Sequence, residues 1–162
     1  MFGTIIFTAG WEASYEAANR VGVLTVDDRK SLCIGICYVL SSLPESQRRK
    51  SLLALAMPAL DCLERMIQYA TTSTSEEEQT LVLGRISSEI IIITTMARAF
   101  TDALLNYSFM KSGFRTSDGN AAIVEPALNI IERAWPCIAV VASSFHYNEV
   151  RLLYIAFDCR SW

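Results

Sequence analysis

Two cysteines, Cys33 and Cys37, stand four residues apart in an apolar segment of the chain. In a helix this spacing places both thiols on one face, where two thiolates could bind a zinc ion. A zinc site needs further ligands, however, and the sequence offers no second pair and a single histidine, His146. We therefore expect both thiols to pack in a core, and we predict no metal site.

Histidine-based catalysis and phosphate binding also lack their usual partners in this sequence. His146 stands beside Tyr147, with no aspartate or cysteine arranged as in a catalytic triad. Gly113 and Gly119 flank a polar turn, but no lysine–serine pair opens a helix after them, as a phosphate-binding loop requires. We expect no catalytic residue and no bound cofactor, and we predict that the chain is not an enzyme.

The composition limits the classes of protein to which the chain can belong. Hydrophobic residues make up 52% of the 162 residues and charged residues 19%, which is more apolar surface than a small soluble module usually buries. A bound partner, a second copy or further helical repeats could cover the excess, and we favour further repeats. The net charge of −3 disfavours direct nucleic-acid binding, because a negative surface does not attract a polyanion.

The cysteines and the apolar runs bear on the cellular compartment. Five cysteines at irregular spacing indicate reduced thiols of the cytosol or nucleus, not the disulfide framework of a small secreted protein. Residues 1–9 lack the basic start of a signal peptide. The most apolar windows, residues 90–93 and 134–145, are shorter than the roughly 20 residues that span a bilayer. We expect them to be core helices, with no membrane insertion.

From residue 27 onwards, apolar residues recur at helical spacing, and no alternating strand pattern follows. Asp27 or Asp28 is expected to cap the first helix and Pro44 to separate it from the second. Residues 1–26 are ambiguous, since 2–7 could form a strand and 12–21 a short helix. We predict helices over residues 27–43, 44–70, 76–107, 122–145 and 148–159, with a break at 71–75 and a loop at 111–120. This pattern indicates an all-α architecture of antiparallel hairpins.

Two prolines, Pro58 and Pro136, lie inside predicted helices, where a proline kinks the helix at a cost of about 3 kcal/mol. When the two segments are aligned on these prolines, their apolar positions coincide. The aligned pairs are Leu52 with Ile130, Leu53 with Ile131, Ala56 with Ala134, Met57 with Trp135, Leu60 with Ile138 and Leu63 with Val141. A proline-bent helix followed by a second helix is typical of a HEAT repeat. The alternative is a chance match between two core helices of a bundle.

Two stretches of the chain resemble the importin-β superfamily of nuclear transport receptors, most of all the branch of importin thirteen and transportin three. The first is RKSLCIGICYVLSSLPESQRRKSLLALAMPALDCLERM, which contains the form L…G…VL..LP before a helix of apolar periodicity. The second is IVEPALNIIERAWPCIAVV, with a tryptophan–proline pair in mid-helix. Together with the short helix after the second stretch, they cover residues 29–70 and 122–160.

The resemblance implies the middle part of an all-α, HEAT-type α-solenoid, a curved superhelix that wraps protein cargo and is switched by the small GTPase Ran. Within the chain it implies a partial first hairpin in residues 1–43, a second in 44–107 and a third in 122–162. In that family the Ran contacts lie largely in N-terminal repeats, so Ran would bind other parts of the full receptor. Shuttling between cytoplasm and nucleus is implied as well, with nucleoporins as further partners.

The candidate partner contacts are charged residues that we expect on helix faces not needed for the core. They are Glu76, Glu77, Glu78, Glu89, Asp102, Glu149, Arg151 and Asp158. Acidic side chains on inner helices could receive a basic segment of cargo, with charge complementarity setting selectivity and association rate. The alternative for these residues is an ordinary solvated helix face. The same helices would also suit a scaffold that organises a protein complex without transport, whereas an enzyme built around a metal or lipid has no supporting residues.

Overall fold

The computed structural model describes residues 24–72, 75–112 and 117–144 of the chain, with side chains described for 24–72, 75–106 and 125–143. These residues form four α-helices: α1 (Val26–Ser41), α2 (Glu45–Thr72), α3 (Glu76–Ser112) and α4 (Ser117–Ser144). The all-α class predicted from the sequence is confirmed for this part of the chain. The predictions made for residues 1–23 and 148–159 lie outside the described residues.

Helix α1 begins with a capping box formed by Thr25 and Asp28. The backbone N–H of Asp28 donates to Oγ1 of Thr25 at 3.2 Å, and the backbone N–H of Thr25 donates to the Asp28 carboxylate at 3.1 Å. Two amides that a helix start leaves unpaired are thereby satisfied. The prediction that Asp27 or Asp28 accepts from an unpaired amide at the helix start is confirmed for Asp28, whereas the N-cap residue itself is Thr25.

The helix boundaries follow the sequence signals except at one connection. Pro44 lies directly before α2, as predicted, and its carbonyl accepts from the backbone N–H of Gln47 and of Arg48. The loop predicted at residues 111–120 is shorter, because α3 continues to Ser112 and α4 already begins at Ser117. Serine and aspartate are common in loops but also suit the first turn of a helix. Composition alone therefore did not distinguish a loop from a helix start at this connection.

Helix α3 lies at the centre of the core. It packs against α1, α2 and α4, most extensively against α1, and one hydrophobic cluster runs through all four helices. Its β-branched run has low helix propensity, yet Ile90, Ile92 and Ile93 are at most 2% exposed and Phe100 is fully buried. Packing on several sides therefore holds this segment as a helix, as the sequence predicted.

Over Glu76–Asn106, α3 is long and apolar enough to cross a membrane by length and composition alone. Half of its most apolar window is buried inside the helix array. This segment was not identified from the sequence, because only uninterrupted apolar runs were counted. A segment that spans a membrane can contain a few charged residues. Its burial against three neighbours places α3 at the core of the array.

Helices α1 and α3 run parallel to each other. The guanidinium of Arg29 in α1 contacts the carboxylate of Glu89 in α3. Further along both helices, the thiol of Cys37 lies 3.5 Å from the carbonyl oxygen of Met96. From the first contact to the second, the sequence advances by eight residues in α1 and by seven in α3. The two helices therefore form a parallel pair in one layer.

Helices α2 and α4 form a second parallel pair. Arg49 of α2 lies 3.4 Å from Glu125 of α4, and further along the charge of Glu64 acts on the thiol of Cys137. These are the helices whose sequences align on their prolines. Four aligned pairs are at most 5% exposed in both helices: Leu52 with Ile130, Ala56 with Ala134, Leu60 with Ile138 and Leu63 with Val141. Equivalent positions of the two segments therefore face the core in the same way.

The four described helices form one packed arrangement, in which five of the six helix pairs are in contact. Among the described residues, contacts join α1 with α2 and α3, α2 with α3 and α4, and α3 with α4, whereas α1 and α4 do not meet. Each helix thus contacts only helices one or two places away along the chain. The contacts α1–α3, α3–α4, α4–α2 and α2–α1 link the four helices in a ring, and α2 and α3 are in contact across it.

Candidate partner-binding site

The acidic start of α3 lies on the surface, as predicted. Glu76, Glu77 and Glu78 are all exposed, and three carboxylates in a first turn are favourable to the helix dipole. The hydroxyl of Tyr69, at the end of α2, donates to the Glu78 carboxylate at 3.3 Å. These residues place concentrated negative charge beside the connection between α2 and α3, where a basic segment could bind.

The other predicted contact residues do not join this acidic turn. Asp102 is exposed, but it lies about 36 Å further along α3 at 1.5 Å per residue. Glu149, Arg151 and Asp158 lie outside the described residues. The described part of the chain therefore contains one acidic cluster and one separate exposed carboxylate from the predicted set.

The prediction that Glu89 lies on a free helix face was wrong. Glu89 is 3% exposed and Arg29 is 7% exposed. The guanidinium of Arg29 donates two hydrogen bonds to the Glu89 carboxylate, at 2.7 and 2.8 Å. A charged group is tolerated in a protein interior only when it is paired and hydrogen-bonded, and the bidentate contact between Arg29 and Glu89 supplies both conditions. Glu89 therefore joins α3 to α1 and is not presented to a partner.

The electrostatics of this pair keep its arginine charged. The hydrogen bonds to Glu89 raise the pKa of Arg29, and they outweigh burial, which acts in the opposite direction. The negative charge of Glu89 raises the pKa of Arg29 as well. The pair is therefore an ionic link between two core helices.

The two cysteines of α1 lie beside this link and are not activated. Burial raises the pKa of Cys33 to about 11, although the charge of Arg29 acts in the opposite direction. Burial also strongly raises the pKa of Cys37, which is fully buried. At neutral pH both are thiols and not thiolates, which are the nucleophilic and metal-binding form. Across the described ranges, no group of three His, Cys, Asp or Glu residues could hold a metal ion.

An open groove of about 720 Å³ lies between the end of α2 and the start of α3. Leu81 is 69% exposed and Tyr69 is 50% exposed along it, so the groove presents apolar surface to solvent. Its lining consists of Cys62, Arg65, Met66 and Tyr69 from α2 and of Glu77, Glu78, Leu81, Val82 and Arg85 from α3. Its acidic residues lie near the helix connection and its arginines lie further along both helices.

Neither the Arg29–Glu89 pair nor the groove was predicted from the sequence. A signal for the pair was present, because Arg29 stands four residues before Cys33 and Glu89 three residues after Ile86, so both extend the buried stripes of their helices. The groove has no comparable signal. The groove depends on how the end of α2 packs against the start of α3, and the periodicity of either helix alone does not predict this packing.

Comparison with known proteins reveals no relative: no protein-family model, curated protein or solved structure matches the chain. The described residues define an all-α protein of four packed helices. Its exposed features are an acidic helix start and the groove beside it.

Proposed function

We propose that this chain is a stretch of a HEAT-type α-solenoid whose surface binds other proteins. The main support is the packing order, in which each described helix contacts only helices one or two places away and α1 does not meet α4. In a solenoid each repeat contacts only its neighbours, which is the pattern expected when α1 and α4 belong to different repeats.

The two proline-containing helices give a second line of support. In a solenoid of helical hairpins, the first helices of successive repeats form one layer and the second helices form the other. Helices α2 and α4, with Pro58 and Pro136, pack side by side, and α1 and α3 form the opposite pair. On this proposal α2 and α3 are one complete repeat, α1 ends the preceding repeat and α4 begins the following one.

The proposed partner is a protein segment rich in lysine and arginine, which would bind at the acidic turn of Glu76, Glu77 and Glu78. These carboxylates are exposed and adjacent, and the chain as a whole carries a net charge of −3. Complementary charge accelerates association and excludes acidic competitors. The contact should weaken as salt is added, since exposed charges are screened over about 8 Å at physiological ionic strength.

A labelled lysine-rich peptide tests this contact by fluorescence anisotropy at low and physiological salt. The chain should bind it, and the combined Glu76→Lys, Glu77→Lys and Glu78→Lys changes should weaken binding by about tenfold, the scale of a few exposed ion pairs. The matched control changes three exposed acids elsewhere, Asp61→Lys, Glu64→Lys and Glu132→Lys. Equal loss in both variants, or no binding by the unchanged chain, contradicts this contact site.

The particular solenoid that we propose is a nuclear transport receptor that carries protein cargo and shuttles between cytoplasm and nucleus. This step rests on the sequence resemblance of residues 29–70 and 122–160. Because Ran contacts in that family lie largely in N-terminal repeats, a pull-down with GTP-loaded Ran should capture none of this chain. Tight, GTP-dependent capture would contradict its placement in the middle of a receptor.

The alternative is a HEAT-repeat scaffold that organises a protein complex without transport. It shares the proposed array and the acidic turn, so peptide binding does not distinguish the two. A Ran-binding block encoded upstream of this chain in the full gene product supports the receptor, and its absence there supports the scaffold.

A further inference from the structure

Helix α1 leaves the first part of α3 uncovered. Arg29 lies opposite Glu89 and the two helices are parallel, so Val26, the first residue of α1, is level with about Ile86 of α3. Helix α3 begins at Glu76. Its first ten or so residues therefore extend about 15 Å beyond the start of α1, at 1.5 Å per residue.

The first part of α3, which α1 does not cover, forms one wall of the groove. Leu81, Arg85 and Glu89 are spaced by four residues and so share one face of α3. Glu89 on this face meets α1 through Arg29, while Leu81 and Arg85 on the same face line the groove. The face of α3 that packs against α1 therefore continues into the groove. The chain that precedes Thr25 joins α1 at the open end of this groove.

We propose that residues 11–23 of this chain bind in the groove between α2 and α3. Their place in the chain is the first reason, since they join α1 where the groove opens. Their reach is sufficient, because 13 residues span up to about 43 Å when extended, against about 15 Å of uncovered helix. The part of the groove around Leu81 and Arg85, beyond Glu77 and Glu78, is thus a site for the chain's own preceding segment, whether or not the helices belong to a solenoid.

The chemistry of residues 11–23 is complementary to that of the groove. Trp11, Tyr15, Val21 and Val23 are the larger apolar residues of the segment, and they would cover the exposed Leu81. Burying such side chains is the main source of affinity for an apolar groove.

The charges of the two surfaces also match. The segment contains two acids, Glu12 and Glu16, and one base, Arg20, so its net charge is −1. The groove has two exposed arginines, Arg65 and Arg85, whose charges both act on the thiol of Cys62 and which therefore lie at one end of the groove. Opposite charges at such a rim would fix the register of the segment and add a modest amount of stability.

Site-specific photo-crosslinking in the full chain tests the proposal. The photoreactive amino acid p-benzoylphenylalanine would replace Leu81, and an equal mixture of unlabelled and ¹⁵N-labelled chains would be irradiated. Mass spectrometry should find crosslinks from position 81 to residues 11–23 within one chain. Crosslinks between isotopically different chains, crosslinks to other segments, or no crosslink would each overturn the proposal.

Two further variants make the test specific. The same probe at Leu128, a half-exposed leucine of α4, should give no crosslink to residues 11–23. With the probe at position 81, Arg85→Glu should lower the crosslink yield by about threefold, the scale of one exposed ion pair. The matched charge reversal Arg133→Glu, on the exposed surface of α4, should leave the yield unchanged. Equal yields in the two charge variants would overturn the role given to Arg85.

Discussion

Arg29 and Glu89 are the charged side chains most fully removed from water among the described residues. Their two short hydrogen bonds connect α1 to α3 across 60 positions of sequence. A buried ion pair adds little net stability compared with apolar residues of the same volume, but loss of one partner leaves the other charge buried without compensation. The pair therefore acts mainly on the register between α1 and α3, since a shift of either helix would separate the two charges.

Glu89→Gln should lower the free energy of unfolding by about 3–5 kcal/mol, because it leaves the Arg29 guanidinium buried without a counter-charge. Urea denaturation followed by circular dichroism measures this change. The double variant Arg29→Met with Glu89→Leu should recover most of the loss, since both charges are removed. Asp27→Asn, which removes the exposed pair with Lys30, is the control, with an effect below about 0.5 kcal/mol. A similarly small effect of Glu89→Gln would contradict the buried pairing.

The cysteines should differ in reactivity according to their burial. The pKa of Cys33 is raised to about 11 from an ordinary value of 9.0, so its thiolate fraction at neutral pH is about 100-fold lower. Cys62 and Cys137 are only half-buried. Timed alkylation with iodoacetamide, followed by peptide mass spectrometry, should label Cys62 and Cys137 before Cys33 and Cys37. Labelling of Cys33 as fast as Cys62 in the folded chain would argue against the packing of α1 on α3.

At the scale of elements, periodicity and end signals predicted most of the helices. The boundaries at Pro44 and at Glu76 were correct because proline and clustered acids favour helix starts for direct physical reasons. The short connection before Ser117 and the cap at Thr25 were missed, since serine, threonine and aspartate are suited both to turns and to helix starts. The groove was missed because it belongs to two helices at once.

The capping box predicts a pH dependence at the start of α1. Hydrogen bonds from Thr25 lower the pKa of Asp28, with that to the side chain the larger cause. A lowered pKa stabilises the fold above the unfolded-state pKa, and this contribution is lost as the pH falls through the folded-state value. Thr25→Ala should therefore lower the Tm by a few degrees at pH 6 and have less effect at pH 2. An NMR titration of Asp28 should show its pKa returning towards the ordinary value, and an unchanged pKa in the variant would contradict the capping box.

On the scale of the whole molecule, exposed large apolar side chains lie on all four described helices, including the first and the last. Ile34, Tyr38 and Val39 are exposed on α1. Leu128 and Val140 are exposed on α4. These are the first and last described helices, which lack contact with each other. Exposed apolar side chains on both outer helices match the excess of apolar residues in the composition, and further helices stacked at either end would cover them.

The absence of contact between α1 and α4 predicts that substitutions in these two helices act independently on stability. Leu40→Ala in α1 and Ile130→Ala in α4 each remove a buried side chain and should each cost about 2–5 kcal/mol. Because α1 and α4 do not touch in the described part of the chain, their effects should add to within about 0.5 kcal/mol in a double-mutant cycle. The cycle between Arg29→Met and Glu89→Leu is the positive control for coupling. Strong coupling between Leu40 and Ile130 would indicate a closed bundle.

The order of helix contacts also bears on how the chain folds. The α2–α3 hairpin joins helices that follow each other in sequence, whereas the α1–α3 and α2–α4 contacts join residues about 60 or more positions apart, so they have to close long loops. The α2–α3 hairpin can form first, with α1 and α4 then adding from opposite sides. Contacts of high sequence separation form more slowly than local ones, so the core faces of α1 and α4 should stay open to aggregation in a newly synthesised chain until these later contacts form.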